Sequence, residues 1–145
     1  MEELVQQMKV LLSSTFALYL KAHYFHWNVE GPDFAQYHDF FGDFYESVYG
    51  NVDKLAEEIR ALDAYAPGSF GRFQELTKIN GEDRILPARD MLIQLYSDNM
   101  NYIEILGDTF RASEAANQIG LSNYIQDLTD QHKKHQWMLR AFSKG

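Results

Sequence analysis

The segment FAQYHDFFGDFYESVYGNVDKLAEEIRALD, residues 34–63, decides the fold. In it Phe34, Tyr37, Phe41, Phe44, Val48, Val52, Leu55, Ile59 and Leu62 recur at spacings of three and four. Such a period marks an amphipathic helix with one face turned to a core. Gly31 and Pro32 precede it; proline in a first turn forfeits no hydrogen bond, and Asp33 there complements the helix dipole. One continuous helix is predicted from just after Gly31 to about Asp63.

The same period extends outward in both directions. From Glu2 to Asn28, Leu4, Met8, Leu11, Leu12, Phe16, Leu18, Tyr19, Ala22 and Phe25 form an apolar stripe. Between Pro67 and Gly81, the stretch from Ser69 to Ile79 has room for one short helix across a long connection. A third long helix is predicted from near Pro87, through Met91, Leu92, Leu95, Met100, Ile103, Leu106 and Phe110, giving out before Gly120. A fourth runs from about Leu121 to Phe142, with Tyr124, Ile125, Leu128, His132, His135, Met138 and Leu139. No segment alternates in the manner of a strand. The prediction is an all-α fold, a four-helix bundle of the ferritin-like type with a short extra helix in the connection between helices two and three.

A chain of 145 residues, 46% of them apolar and without a long linker, has the size of one domain, assigned to residues 1–145. No run of about 18 apolar residues and no basic leader or lipidation signature occurs, so a cytoplasmic protein without a membrane partner is expected. There is no cysteine, which removes disulfides, thiolate ligands and thiol nucleophiles. Chemistry falls to His, carboxylates, Tyr and Trp. The formal charge is -8, from 21 acidic and 13 basic residues, and the cations form no block that could neutralise a row of phosphates. DNA binding is therefore not expected, whereas metal cations suit such a surface.

On a helical wheel with Phe34 at zero, His38 lies near about 40°, Asp53 near about 100° and Glu57 near about 140°, all on one flank of the apolar stripe. A histidine and two carboxylates on one flank suit a hard divalent metal with nitrogen and oxygen ligands. Yet fifteen residues separate His38 from Asp53, ~22 Å along a straight helix, too far for one ion. Two copies of the helix packed antiparallel about a two-fold axis near Glu46 and Ser47 bring His38 of one level with Asp53 and Glu57 of the other. The metal site is then predicted to lie between subunits, twice per dimer. His26, twelve residues before His38 across the Gly31–Pro32 break, can add a second imidazole.

His26-Trp27-Asn28, Gly31, Phe34, His38, Asp53 and Glu57, with His135-Gln-Trp-Met-Leu-Arg-Ala141 in the last helix, resemble the Dps family, the DNA-protection-during-starvation proteins or mini-ferritins, over nearly the whole chain. The resemblance implies a hollow dodecamer built from two-fold dimers. It implies an inter-subunit ferroxidase centre that oxidises Fe(II), preferentially with hydrogen peroxide, and stores ferric iron against oxidative damage. By matching position, His26 and His38 come from one subunit and Asp53 and Glu57 from its mate, with Trp27 and nearby tyrosines as electron donors. Asp127 and Asp130 resemble acidic positions lining iron-entry pores.

The chain departs from the family where a carboxylate is usual four residues after the second histidine: Gly42 stands there. Asp39, Asp43 and Glu46 are candidate substitutes, and weaker iron binding is expected. The rival expectation is a noncatalytic shell whose centre has decayed, used for metal sequestration or DNA compaction. Glu-x-x-His motifs, which would build a di-iron site inside one bundle, are absent. His132 and His135 are expected to pack rather than bind metal, and His23 to lie at a surface or interface.

Overall fold

A computed structural model describes residues 1–144. Its elements are α1 (Glu2–Asn28), α2 (Phe34–Tyr49), α3 (Val52–Ala61), α4 (Phe70–Leu76), α5 (Ala88–Ala115) and α6 (Ile119–Ser143). α1 packs against α2 and α3 on one side, α5 on another and the short α4 outside, while α5 runs along α6. Four helical columns thus surround one core, with α2 and α3 sharing a column. Met8, Leu11, Phe25, Phe41, Phe44, Leu55, Ile59, Leu95 and Leu128 are inaccessible or nearly so. Among the described residues no helix is long and apolar enough to cross a membrane.

The fold agrees with the all-α bundle and extra helix predicted. The second helix, however, is not continuous. At its middle the Asn51 N–H bonds to the carbonyl of Val48 at 3.1 Å rather than one residue further back. The Ser47 carbonyl left over accepts from the Asn51 side-chain amide, also at 3.1 Å. Glycine at 50 makes the helix easy to interrupt, and asparagine at 51 offers the backbone an alternative partner. The apolar period misses this joint because Val48 and Val52 keep step across it.

The start of α2 also differs, since Pro32 and Asp33 lie in a turn and the helix begins at Phe34. Gly31 has φ +120°, a conformation L side chains rarely adopt, which fixes the reversal between α1 and α2. Phe34 itself is exposed. On α5, Met100 is exposed while Asn99 and Tyr102 are inaccessible, so the predicted stripe is displaced there. Polar pairing accounts for the displacement: Asn99 donates to the His132 carbonyl at 2.9 Å and to Gln136 at 2.7 Å, and His132 Nδ1–H donates to Asn99 Oδ1 at 2.7 Å. Tyr102 shares a 2.6 Å hydrogen bond with Thr15 of α1.

Candidate metal centre

α1 ends at Asn28; Val29 N–H still closes on the Phe25 carbonyl, and the carbonyl of His26 is the next, left without a helical partner. The turn through Gly31 lays the start of α2 beside that end, and two imidazoles meet there. His38 Nδ1–H donates to the His26 carbonyl at 2.8 Å, and His26 Nδ1–H donates to the His38 carbonyl at 2.7 Å. The rings stack with centroids 3.7 Å apart and planes 17° from parallel. Because both acceptors are carbonyls, both Nδ1 atoms carry the proton. In the neutral imidazole the lone pair then falls on Nε2, the tautomer a metal requires, and each ring is held in place by the other's carbonyl, as hydrogen bonds behind a metal ligand hold metal-bound imidazoles.

Beneath His26 lies Gly42. A Cβ there would stand 3.1 Å from His26 Cε1 and 3.2 Å from Nδ1, tighter than side chains ordinarily pack. Glycine at this position thus gives the imidazole its seat, a reason that the sequence alone did not supply. Asp39, Asp43 and Glu46 are exposed. Among the described residues no three His, Asp or Glu side chains of one chain converge into a metal-holding group.

Asp53 and Glu57, both exposed, sit on α3 beyond the joint, separated by one helical turn. The Tyr124 hydroxyl of α6 donates to Asn51 Oδ1 at 3.0 Å, and Ser47 Oγ lies 3.1 Å from His135 Nε2. Burial, with Glu58 nearby, pushes the Tyr124 phenol up to about 12, which keeps it a donor. Lys54 lies over the Tyr124 ring at 4.8 Å and pairs with Glu58 at 3.2 Å.

An aromatic cluster adjoins the imidazole pair, of which sequence reasoning named Trp27 and, without assigning positions, the tyrosines nearby. His23 lies between Trp27, tilted by 34° at 3.9 Å between centroids, and Tyr45, stacked at 3.8 Å and 9°. The Tyr19 hydroxyl lies 2.9 Å from His23 Nδ1, and Tyr45 reaches His26 at 5.2 Å. Burial lowers His23, helped by the neighbouring His26, and burial raises Tyr19. The available signal was helical spacing: Tyr19, His23 and Trp27 on α1, and His38, Gly42, Tyr45 and Tyr49 on α2, share facing sides. Asp127, Asp130 and Asn123 are exposed on α6, away from this cluster in sequence and element.

Comparison with known proteins accords with this fold. Residues 5–144 match the ferritin-like domain family. A low temperature-induced protein of Nostoc sp. is 30% identical over 92% of this chain and 76% of its own length. The DNA protection during starvation protein of Brevibacillus brevis is 28% identical over 98% of this chain and 99% of its own. The crystal structure of Dps from Staphylococcus aureus superposes with a TM-score of 0.95 over 100% of this chain and 97% of that one, at 23% identity. With a family match over residues 5–144 and Dps-named relatives over nearly its whole length, the chain belongs to the ferritin-like proteins and, among them, to the Dps family.

Proposed function

We propose that this protein is a ferroxidase of the mini-ferritin kind, which binds Fe(II) between two subunits, oxidises it with hydrogen peroxide and stores the ferric product. Fe(II) is the substrate. His26 and His38 of one subunit and Asp53 and Glu57 of its two-fold mate supply the ligands. The observation that carries this reading is the reciprocal Nδ1-to-carbonyl pairing of His26 and His38, which reserves both Nε2 atoms of the neutral rings as the ligand atoms. The packing histidine His132 also has its Nδ1–H bonded, to Asn99, but the pair at the α1–α2 turn is set apart by two imidazoles stacked on each other, each fixed by the other's backbone.

Within the centre the imidazoles hold the ion without adding charge, and the two carboxylates favour the ferric over the ferrous state. Two Fe(II) ions give up one electron each, and peroxide accepts both with two protons and leaves as two waters. No hydroxyl radical is released when both electrons arrive at one peroxide. Trp27, exposed and packed at a tilt against His23, is in this reading an auxiliary electron donor. The assembly is a cytoplasmic hollow dodecamer of two-fold dimers, with Asp127 and Asp130 lining the pores by which iron enters, and with no role in binding DNA.

One observation favours a second reading: Gly42 seats His26 and contributes no ligand. In that reading the shell sequesters metal or compacts DNA without turnover. Peroxide-driven Fe(II) oxidation, followed by absorbance for the wild-type protein and His38→Ala, separates the two. Faster oxidation by the wild type supports the ferroxidase; identical traces leave the noncatalytic shell.

A further inference from the structure

Resting on that ferroxidase reading, we propose that the joint between α2 and α3, held from α6 by Tyr124 on Asn51 and His135 on Ser47, sets the geometry of the metal centre, making Asn51 and Tyr124 its positioning residues. His26 and His38 precede the joint, while Asp53 and Glu57 follow it. In a two-fold pair each centre takes imidazoles from one chain and carboxylates from the other. Both centres therefore close only when the separation and angle between these two groups within a single chain match the dimer. The shortest chain path between His38 and Asp53 runs through Gly50 and Asn51.

The joint is a defined local geometry rather than a loose hinge. The Asn51 N–H bonds to Val48 at 3.1 Å in the tighter three-residue pattern, while Gly50 N–H keeps the helical bond to Glu46 at 3.0 Å. One such tight step turns the chain about 20° further than an α-helical step and lifts it about 0.5 Å more. At a side-chain radius of about 6 Å that rotation moves a carboxylate about 2 Å, the length of a metal–oxygen bond. Relaxing the joint by one step is thus enough to open both centres together.

The side chain of Asn51 is used at both ends. Its amino group caps the Ser47 carbonyl, and its oxygen accepts the Tyr124 hydroxyl at 3.0 Å. The Tyr124 ring also faces Lys54 on α3, whose ammonium pairs with Glu58, the residue beside Glu57. α6 accordingly grips α3 at its first turn and α2 at its last. The bundle core is already filled by Val48, Leu55 and Ile59, so the polar clamp adds orientation where packing is in place.

The test uses Co(II) alone as the probe in the assembled protein, read by its d–d absorption, beside the kinetics of Fe(II) oxidation. Tyr124→Phe keeps the ring and its contact with Lys54 and removes only the hydroxyl. Expected are unchanged helix content, Co(II) binding about tenfold weaker, an altered d–d spectrum, and a raised KM for Fe(II). Asn51→Ala should do the same, and the double variant should be no weaker than Asn51→Ala, because both changes remove one shared bond. Wild-type affinity and spectrum in Tyr124→Phe overturn the proposal, whether or not Asn51→Ala folds. If the wild type binds Co(II) no better than His38→Ala does, the metal-centre reading itself fails and the proposal falls with it.

Discussion

The imidazole of His26 rests on the bare backbone of Gly42, with 3.1 Å between Cε1 and the place a Cβ would occupy. The ring cannot retreat freely, because its Nδ1–H is bonded to the His38 carbonyl at 2.7 Å. Gly42→Ala separates seat from ligand, since a methyl group binds no metal. In an exposed helix that change would stabilise by up to about 1 kcal/mol through helix propensity. We expect thermal stability to be equal or higher, while Co(II) or Fe(II) binding weakens about fivefold as the imidazole shifts. Undiminished affinity by isothermal titration would show that Gly42 is a tolerated vacancy and not a seat.

A centre divided between subunits predicts complementation. His38→Ala and Asp53→Asn should each lack peroxide-driven Fe(II) oxidation when assembled alone. In a mixed pair, one centre combines both lesions and the other combines an intact His38 with an intact Asp53. Unfolding and refolding an equal mixture should restore about one quarter of wild-type activity, since half of randomly formed pairs are mixed and each holds one whole centre. Activity that stays at the level of the separate variants after proven reassortment would place all the ligands in one chain.

How far the sequence foretold this centre depends on the range of the interaction concerned. Phe41, Phe44, Val48, Leu55 and Ile59 are buried, as their period required, because burial of one face imposes that period. The meeting of His26 and His38 was legible from a break containing Gly31 and a spacing of twelve. The joint at Asn51 was not, because the partner of its side-chain oxygen, Tyr124, lies 73 residues away and leaves no mark on the local pattern. The purpose of Gly42 was hidden similarly: its reason is a ring on another helix. The placing of His23 between Trp27 and Tyr45 needed the relative rotation of α1 and α2, which periodicity does not fix.

Lys21 and Asp98 tie α1 to α5 through an ion pair of 2.8 Å, and Lys21 also donates to the Asn80 carbonyl at 3.0 Å. Both side chains are largely buried, and burial raises the Asp98 carboxyl despite the ammonium beside it. Lys21→Met leaves that carboxylate without its countercharge and should destabilise the fold by about 3 kcal/mol. Adding Asp98→Asn should recover part of the loss, because the orphaned group is then neutral. Urea unfolding of the two variants and the wild type measures both steps; equal midpoints for wild type and Lys21→Met would mean that the pair contributes nothing.

His132 and His135 make the bundle sensitive to acid. Burial holds His132 down to about 3 and His135 down to about 4, with His135 close to the first and Lys134 close to the second. Both are neutral in the folded protein at pH 6, whereas an unfolded histidine titrates near 6.5. Below that value the unfolded chain binds protons that the folded chain refuses. Their contribution is therefore fully present above about pH 6.5 and is lost as pH falls toward 4, at up to about 1.4 kcal/mol per pH unit for each histidine. Once His135 is protonated its Nε2 can only donate to Ser47 Oγ, so charge is brought beside the α2–α3 joint. We expect the unfolding free energy from denaturant titrations to decline between pH 6.5 and 4, and His135→Gln to roughly halve the histidine share of that slope. A slope unchanged by His135→Gln would assign the acid response to carboxylates instead.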